Sequence, residues 1–221
     1  MRESTEIRND VVRKPSEHDF LRQRVENSKL NRMSDNQLHL RGGAGDEDQI
    51  EYDYHTSLYT RKGGEIDIYL PCAGTDASVV SEQDESAFLR DLGIGQNQIQ
   101  KLEDADPEYN CHLYTFTKDK DGWITESDDV RMILQDHKYQ EIPEESAGKG
   151  LKKEQRDIAI YSQNDEIPHS GRVAGRHGDR PLIDSKLGKY GVYRHRPEIL
   201  TENYGEVSYY RSYPGISSTI S

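Results

Sequence analysis

Apolar residues are sparse at the start of the chain and then recur in short, well-separated groups. Residues 1–63 offer little apolar surface beyond Asp19-Phe20-Leu21 and Leu38-His39-Leu40, and Gly42-Gly43-Ala44-Gly45-Asp46-Glu47-Asp48 reads as a linker. This stretch is expected to be a polar, flexible arm, followed by one folded domain over residues 64–215. Ile66-Asp67-Ile68-Tyr69-Leu70 alternates as a strand does and is stopped by Pro71; Cys72 to Asp76 reads as a turn. Phe88, Leu89 and Leu92 have helical spacing before Gly93, and Ile99 with Leu102 suggests a second short helix. Val130, Ile133, Leu134 and His137 share one face of a helix that opens on the acidic run Ser127-Asp128-Asp129.

After a charged loop over residues 141–154 the period changes to two. Asp157-Ile158-Ala159-Ile160-Tyr161, His169 to Gly175 and Pro181 to Lys186 are three strands with connections of hairpin length, a β-meander. Tyr204 to Arg211 ends in a tyrosine-rich strand-like segment. Helices first and an antiparallel sheet afterwards predict the α+β class.

Composition narrows the function classes. A formal net charge of -12 excludes generic nucleic-acid binding, which rests on lysine and arginine neutralising phosphates. The first residues have no apolar signal core and no run is long enough to span a membrane, so a cytoplasmic protein is expected, or one exported without a signal. Two cysteines, Cys72 and Cys111, make neither a disulfide framework nor a zinc cluster. The loop Lys118-Asp119-Lys120-Asp121-Gly122 lacks the spacing and terminal glutamate of a calcium site. No metal or cofactor is implied.

The chemistry-bearing stretch is Tyr109-Asn110-Cys111-His112. Asparagine is a favoured N-cap, which puts Cys111 in the first turn of a helix, where unpaired N–H groups and the helix dipole favour a thiolate. A thiol nucleophile needs a base beside it and a group that orients the base. His169, opening the second strand of the meander, can face Cys111 across a helix–sheet cleft. Asp184 or Ser185 on the neighbouring strand could hold the other imidazole nitrogen, and alternation allows only one of them. Taken alone, a cysteine is more often a small buried hydrophobe. His112 reads as structural and Trp123 as core or pocket wall; Lys186 and Arg194 beside the tyrosines could bind an anion, and a solvated sheet edge is the simpler reading.

Together, Tyr109-Asn110-Cys111-His112, Asp157 to Tyr161, His169-Ser170-Gly171-Arg172-Val173 and Asp184-Ser185-Lys186-Leu187-Gly188 resemble the papain-like cysteine hydrolases of the NlpC and CHAP type. A narrower group sharing Asn-Cys-His, Gly-Trp-Ile, His-Ser-Gly and Ser-Lys-x-Gly is closer still, and the resemblance covers roughly residues 100–211. It departs from the usual pattern at Asn110 and His112 beside the cysteine and at Arg156 before the strand aspartate. The resemblance implies a papain-like fold, with N-terminal helices carrying the cysteine packed on an antiparallel meander. It implies Cys111 as nucleophile, His169 as base and Asp184 or Ser185 as orienting residue in a peptidase or amidase acting through an acyl-enzyme, with deamidation or acyl transfer as variants of the same chemistry. Its substrate would be a peptide or protein, with neither nucleic acid nor membrane involved, and a delivered effector or toxin would add an immunity or delivery partner. The alternative is a non-catalytic binding module.

Overall fold

The computed structural model describes residues 52–71, 80–117, 121–152 and 155–212. The expected arm up to residue 51, the turn at Cys72 and residues 118–120 of the loop weighed for calcium lie outside the described residues. Within them, β1 (Tyr52–Tyr59) and β2 (Glu65–Pro71) form an antiparallel hairpin, so the last residues assigned to the arm belong to a strand. Next come α1 (Glu82–Asp91), β3 (Ile99–Glu103), α2 (Cys111–Phe116), α3 (Ser127–Asp136) and β4 (Gln140–Ile142). The chain continues through β5 (Asp157–Gln163), β6 (Glu166–His177), β7 (Arg180–Lys186), β8 (Val192–His195), α4 (Glu198–Tyr204) and β9 (Glu206–Arg211).

The main sheet has seven strands in the order β3-β8-β7-β6-β5-β9-β4, and all of its pairings are antiparallel. This corrects the α+β, papain-like expectation. Strands dominate the described residues and the short helices are interspersed among them, instead of preceding and packing on a meander. The meander itself is only the middle of the sheet. Ile99 and Leu102, read as helical, lie on edge strand β3, where Ile99 pairs with His195 and Lys101 with Tyr193. Four of the five β3 residues are exposed, so the strand carries no alternation for a pattern argument to find.

Apolar residues fill both faces of the sheet. One cluster joins Ile158, Ile160 and Ile167 to Leu113 and Phe116 of α2, Val130 and Ile133 of α3, and Ile66 and Ile68 of β2. The other joins Ala159, Tyr161, Ile183, Tyr193 and Tyr209 to Leu89 of α1, to Leu92 just after it, and to Leu200 and Tyr204 of α4. Even and odd residues of β5 thus serve opposite cores, as a strand buried on both sides requires. Asn164 and Asp165 turn the chain between β5 and β6 with φ of 52° and 65°, the left-handed values of a tight hairpin. The β5–β6 ladder shifts register between Tyr161 and Gln163, which returns Ile167 to the Ile158 face while His169 pairs with Tyr161.

Gly205 joins α4 to β9 at φ 86°, and a Cβ there would stand 2.2 Å from the Ser162 carbonyl oxygen. Gly205→Ala is therefore expected to cost at least about 2 kcal/mol in urea unfolding, through backbone strain and a clash with main chain that cannot swing away. A variant as stable as the parent would show that the approach of α4 to β5 is looser than described.

Candidate functional site

Helix α2 is built as the sequence suggests. The Asn110 side chain caps it by accepting the Leu113 N–H at 3.1 Å, and its own amide donates to the Ile124 carbonyl at 2.7 Å. Cys111 is the first helical residue, and the nearby backbone N–H groups of Ser170, His112 and Cys111 itself act to lower its thiol pKa. Yet the residue is only 6% exposed, and burial outweighs those donors and the nearby Lys186 charge, pushing the thiol up to about 11. The helix start is present and the favoured thiolate is not.

Consecutive residues of β6 settle which side chains meet α2. The Ser170 side chain faces the helix, with its hydroxyl 2.8 Å from His112 Nδ1, 3.0 Å from Thr115 Oγ1 and 3.4 Å from the Cys111 carbonyl oxygen. His169 faces the other way. Its ring stacks on Tyr204 of α4 at 4.6 Å between centroids and lies 5.4 Å from the ring of Tyr161. The His169 ring thus packs toward α4 and the Ser170 side chain toward α2, and among the described residues no hydrogen bond joins His169 to Cys111. His169 is 1% exposed, its Nε2 has no hydrogen-bond partner, and burial holds its ring well below the usual imidazole range.

Neither orienting candidate holds His169. Asp184 lies on the α2 face, where it binds Arg194 in a bidentate pair at 2.7 and 2.8 Å. Ser185 shares the His169 face, and its hydroxyl is taken by His195 Nε2 at 2.8 Å.

Several residues without an assigned role fill the space instead. His112 Nε2–H donates to the Ile167 carbonyl at 3.0 Å, which leaves Nδ1 to accept the Ser170 hydroxyl. Lys186, read as part of a solvated edge, is fully buried. Its ammonium donates to the carbonyls of Asp106, Gly188 and Tyr190 at 2.5–2.6 Å and lies over the Tyr109 ring. Trp123 is buried and donates to the Pro107 carbonyl at 2.9 Å. The available signal for Ser170 was its position beside His169 in a strand, since alternation turns one of two neighbours toward any given helix. Nothing local marked His195 or Lys186.

Among the described residues no group of three or more histidine, cysteine or acidic side chains is placed to hold a metal ion, and no helix is long and apolar enough to cross a membrane. No curated protein and no solved structure matches the chain. The family model described as "Domain of unknown function (DUF7689)" matches residues 100–212, from β3 to the end of β9, which is just over half of the 221 residues. The chain belongs to that family.

Proposed function

We propose that the domain is a non-catalytic binding module whose cysteine and histidines serve its interior. The observation that carries this reading is the packing of His169 against Tyr204 of α4, with no hydrogen bond to Cys111, while both residues are buried. Thiol catalysis needs the base within hydrogen-bond reach of the sulfur and an open space above both. A chain with net charge -12 would meet a peptide or protein partner whose recognition surface is basic, since opposite potentials steer association.

The alkylation rate of Cys111 against pH tests the reading, with Cys72 resolved separately by peptide mass spectrometry. Cys111 is expected to stay largely unmodified around neutral pH and to be indifferent to His169→Ala. Rapid modification well below the ~8.5 midpoint of a free thiol, slowed by His169→Ala, would overturn it.

One observation favours a second reading, a thiol-dependent amidase or peptidase. The N–H groups around the Cys111 sulfur are the donors that would steady a thiolate and then the oxyanion of a tetrahedral intermediate. In that case the thiolate adds to an amide carbonyl, a protonated base releases the amine, and water clears the acyl group. His169 could act as that base only after leaving Tyr204.

A further inference from the structure

Two serine–histidine couples stand back to back on the strands β6, β7 and β8. On the α2 face, His112 Nε2–H donates to the Ile167 carbonyl at 3.0 Å and Nδ1 accepts the Ser170 hydroxyl at 2.8 Å. On the α4 face, His195 Nδ1–H donates to the Arg196 carbonyl at 2.9 Å and Nε2 accepts the Ser185 hydroxyl at 2.8 Å. A carbonyl only accepts, so each ring carries a proton on the carbonyl side, and in the neutral form, which burial favours, the other nitrogen accepts the hydroxyl. A second proton would have to land on the nitrogen that already receives a hydroxyl. His169 stands between the couples, its Nε2 buried without a partner.

These rings hold separate pieces of the fold together. His112 ties α2 to β6, while His169 stacks on Tyr204 of α4. Helix α4 is also held by Leu200 in the core, by the Tyr161 hydroxyl donating to the Pro197 carbonyl at 3.3 Å, by Asn203 donating to Leu92 at 3.2 Å and by Arg180 pairing with Glu198 at 3.4 Å.

The groups facing each ring do little to receive a positive charge. Around His112 stand Cys111, Thr115, Ser170 and the Ile167 carbonyl, with no acidic side chain acting on it. His195 feels Asp184 from β7 and Glu198 from α4, already paired with Arg194 and Arg180 respectively. His169 faces the Tyr161 and Tyr204 rings and feels only the other two histidines, so each added proton opposes the next while the domain is closed.

We propose that His112, His169 and His195 form an acid-operated latch, whose protonation loosens α2 and α4 from strands β6, β7 and β8 and uncovers Cys111. The device is the histidine switch in which a bistable packing is biased by charging a buried imidazole. The strands β5 and β9, tied by Asp157 and Arg211, contain none of these rings and stay paired.

The test treats the full chain with 4,4′-dithiodipyridine, a disulfide reagent that reacts with thiols in acid. Cys111 is read by peptide mass spectrometry from neutral pH downward, and amide exchange is followed in α2, α4, β5 and β9. Cys111 reactivity is expected to rise by about tenfold per pH unit for each imidazole that opens with it, while β5 and β9 keep their protection. His169→Phe, which keeps a ring on Tyr204 but takes no proton, is expected to flatten the slope; His112→Asn and His195→Asn do the same where they fold. Constant protection of Cys111, or its exposure only together with loss of β5 and β9 protection, overturns the latch.

Discussion

Asp157→Ala is expected to remove about 3–5 kcal/mol of stability, because it strands a guanidinium against the sheet. The Asp157 side chain has no exposed surface and takes Arg211 in a bidentate pair at 2.7 and 2.8 Å, while its second oxygen also accepts the Gly148 N–H at 2.7 Å. Arg211 in turn donates to the carbonyls of Ser146 and Lys149. One ion pair therefore fastens β5 to β9 and fixes the loop that leads from β4 back into the sheet. A pair with this geometry costs most when one member is left alone. Asp157→Leu with Arg211→Met should recover much of the loss, since matched apolar residues need no counter-charge. Urea midpoints of the single and double variants check both statements. A single variant within about 1 kcal/mol of the parent would mean that solvent reaches the pair.

Asp157 was legible in the sequence only as the first residue of a strand, and the same limit applies across the fold. Strands β2, β5, β6 and β7 carry alternation or a continuous apolar run that their own residues reveal. Strands β1, β3, β4 and β8 do not, because their pairing is specified by partners elsewhere in the chain: Gln140–Ile142 is a strand only because β9 offers it a ladder. Helix α4, opened by Pro197-Glu198, was hidden between two tyrosine-rich stretches. The α+β order failed for that reason, since the missed elements are those that spread the sheet to seven strands.

The site shows a finer limit. Asn110 and Cys111 lie where capping rules put them, because a cap is a local event. Whether His169 or Ser170 turns toward α2 depends on one register shift near Gln163, and a one-residue change of phase exchanges the two faces. His-Ser-Gly is therefore compatible with a base beside the cysteine or with a serine there and the histidine behind the sheet. Helix packing selects the second. The Ser170 hydroxyl then pairs with His112, as the Ser185 hydroxyl pairs with His195.

Those pairs have a thermodynamic signature that global unfolding can read. Stability is expected to fall as the pH drops through the window from 6.5 to about 4, where His112 and His195 are held by burial. Unfolded imidazoles take up protons below about 6.5, while the folded ones stay neutral until the lower end of that window. Unfolding therefore binds protons within it, the stabilisation is complete above it, and acid removes it. His112 and His195 each account for about 3 kcal/mol across the full window, and His169, also displaced downward, adds to the same slope. With three rings contributing, the unfolding free energy should change by about 4 kcal/mol per pH unit between roughly pH 6 and pH 5, above the range where most carboxylates titrate. His112→Asn or His195→Asn should each remove about a third of that slope while lowering stability at neutral pH. Urea unfolding at closely spaced pH values measures it directly. A loss of about a third of that slope in the parent would mean that one ring is charged or hydrated in the folded protein, and a flat profile between pH 7 and about pH 5 that all three are.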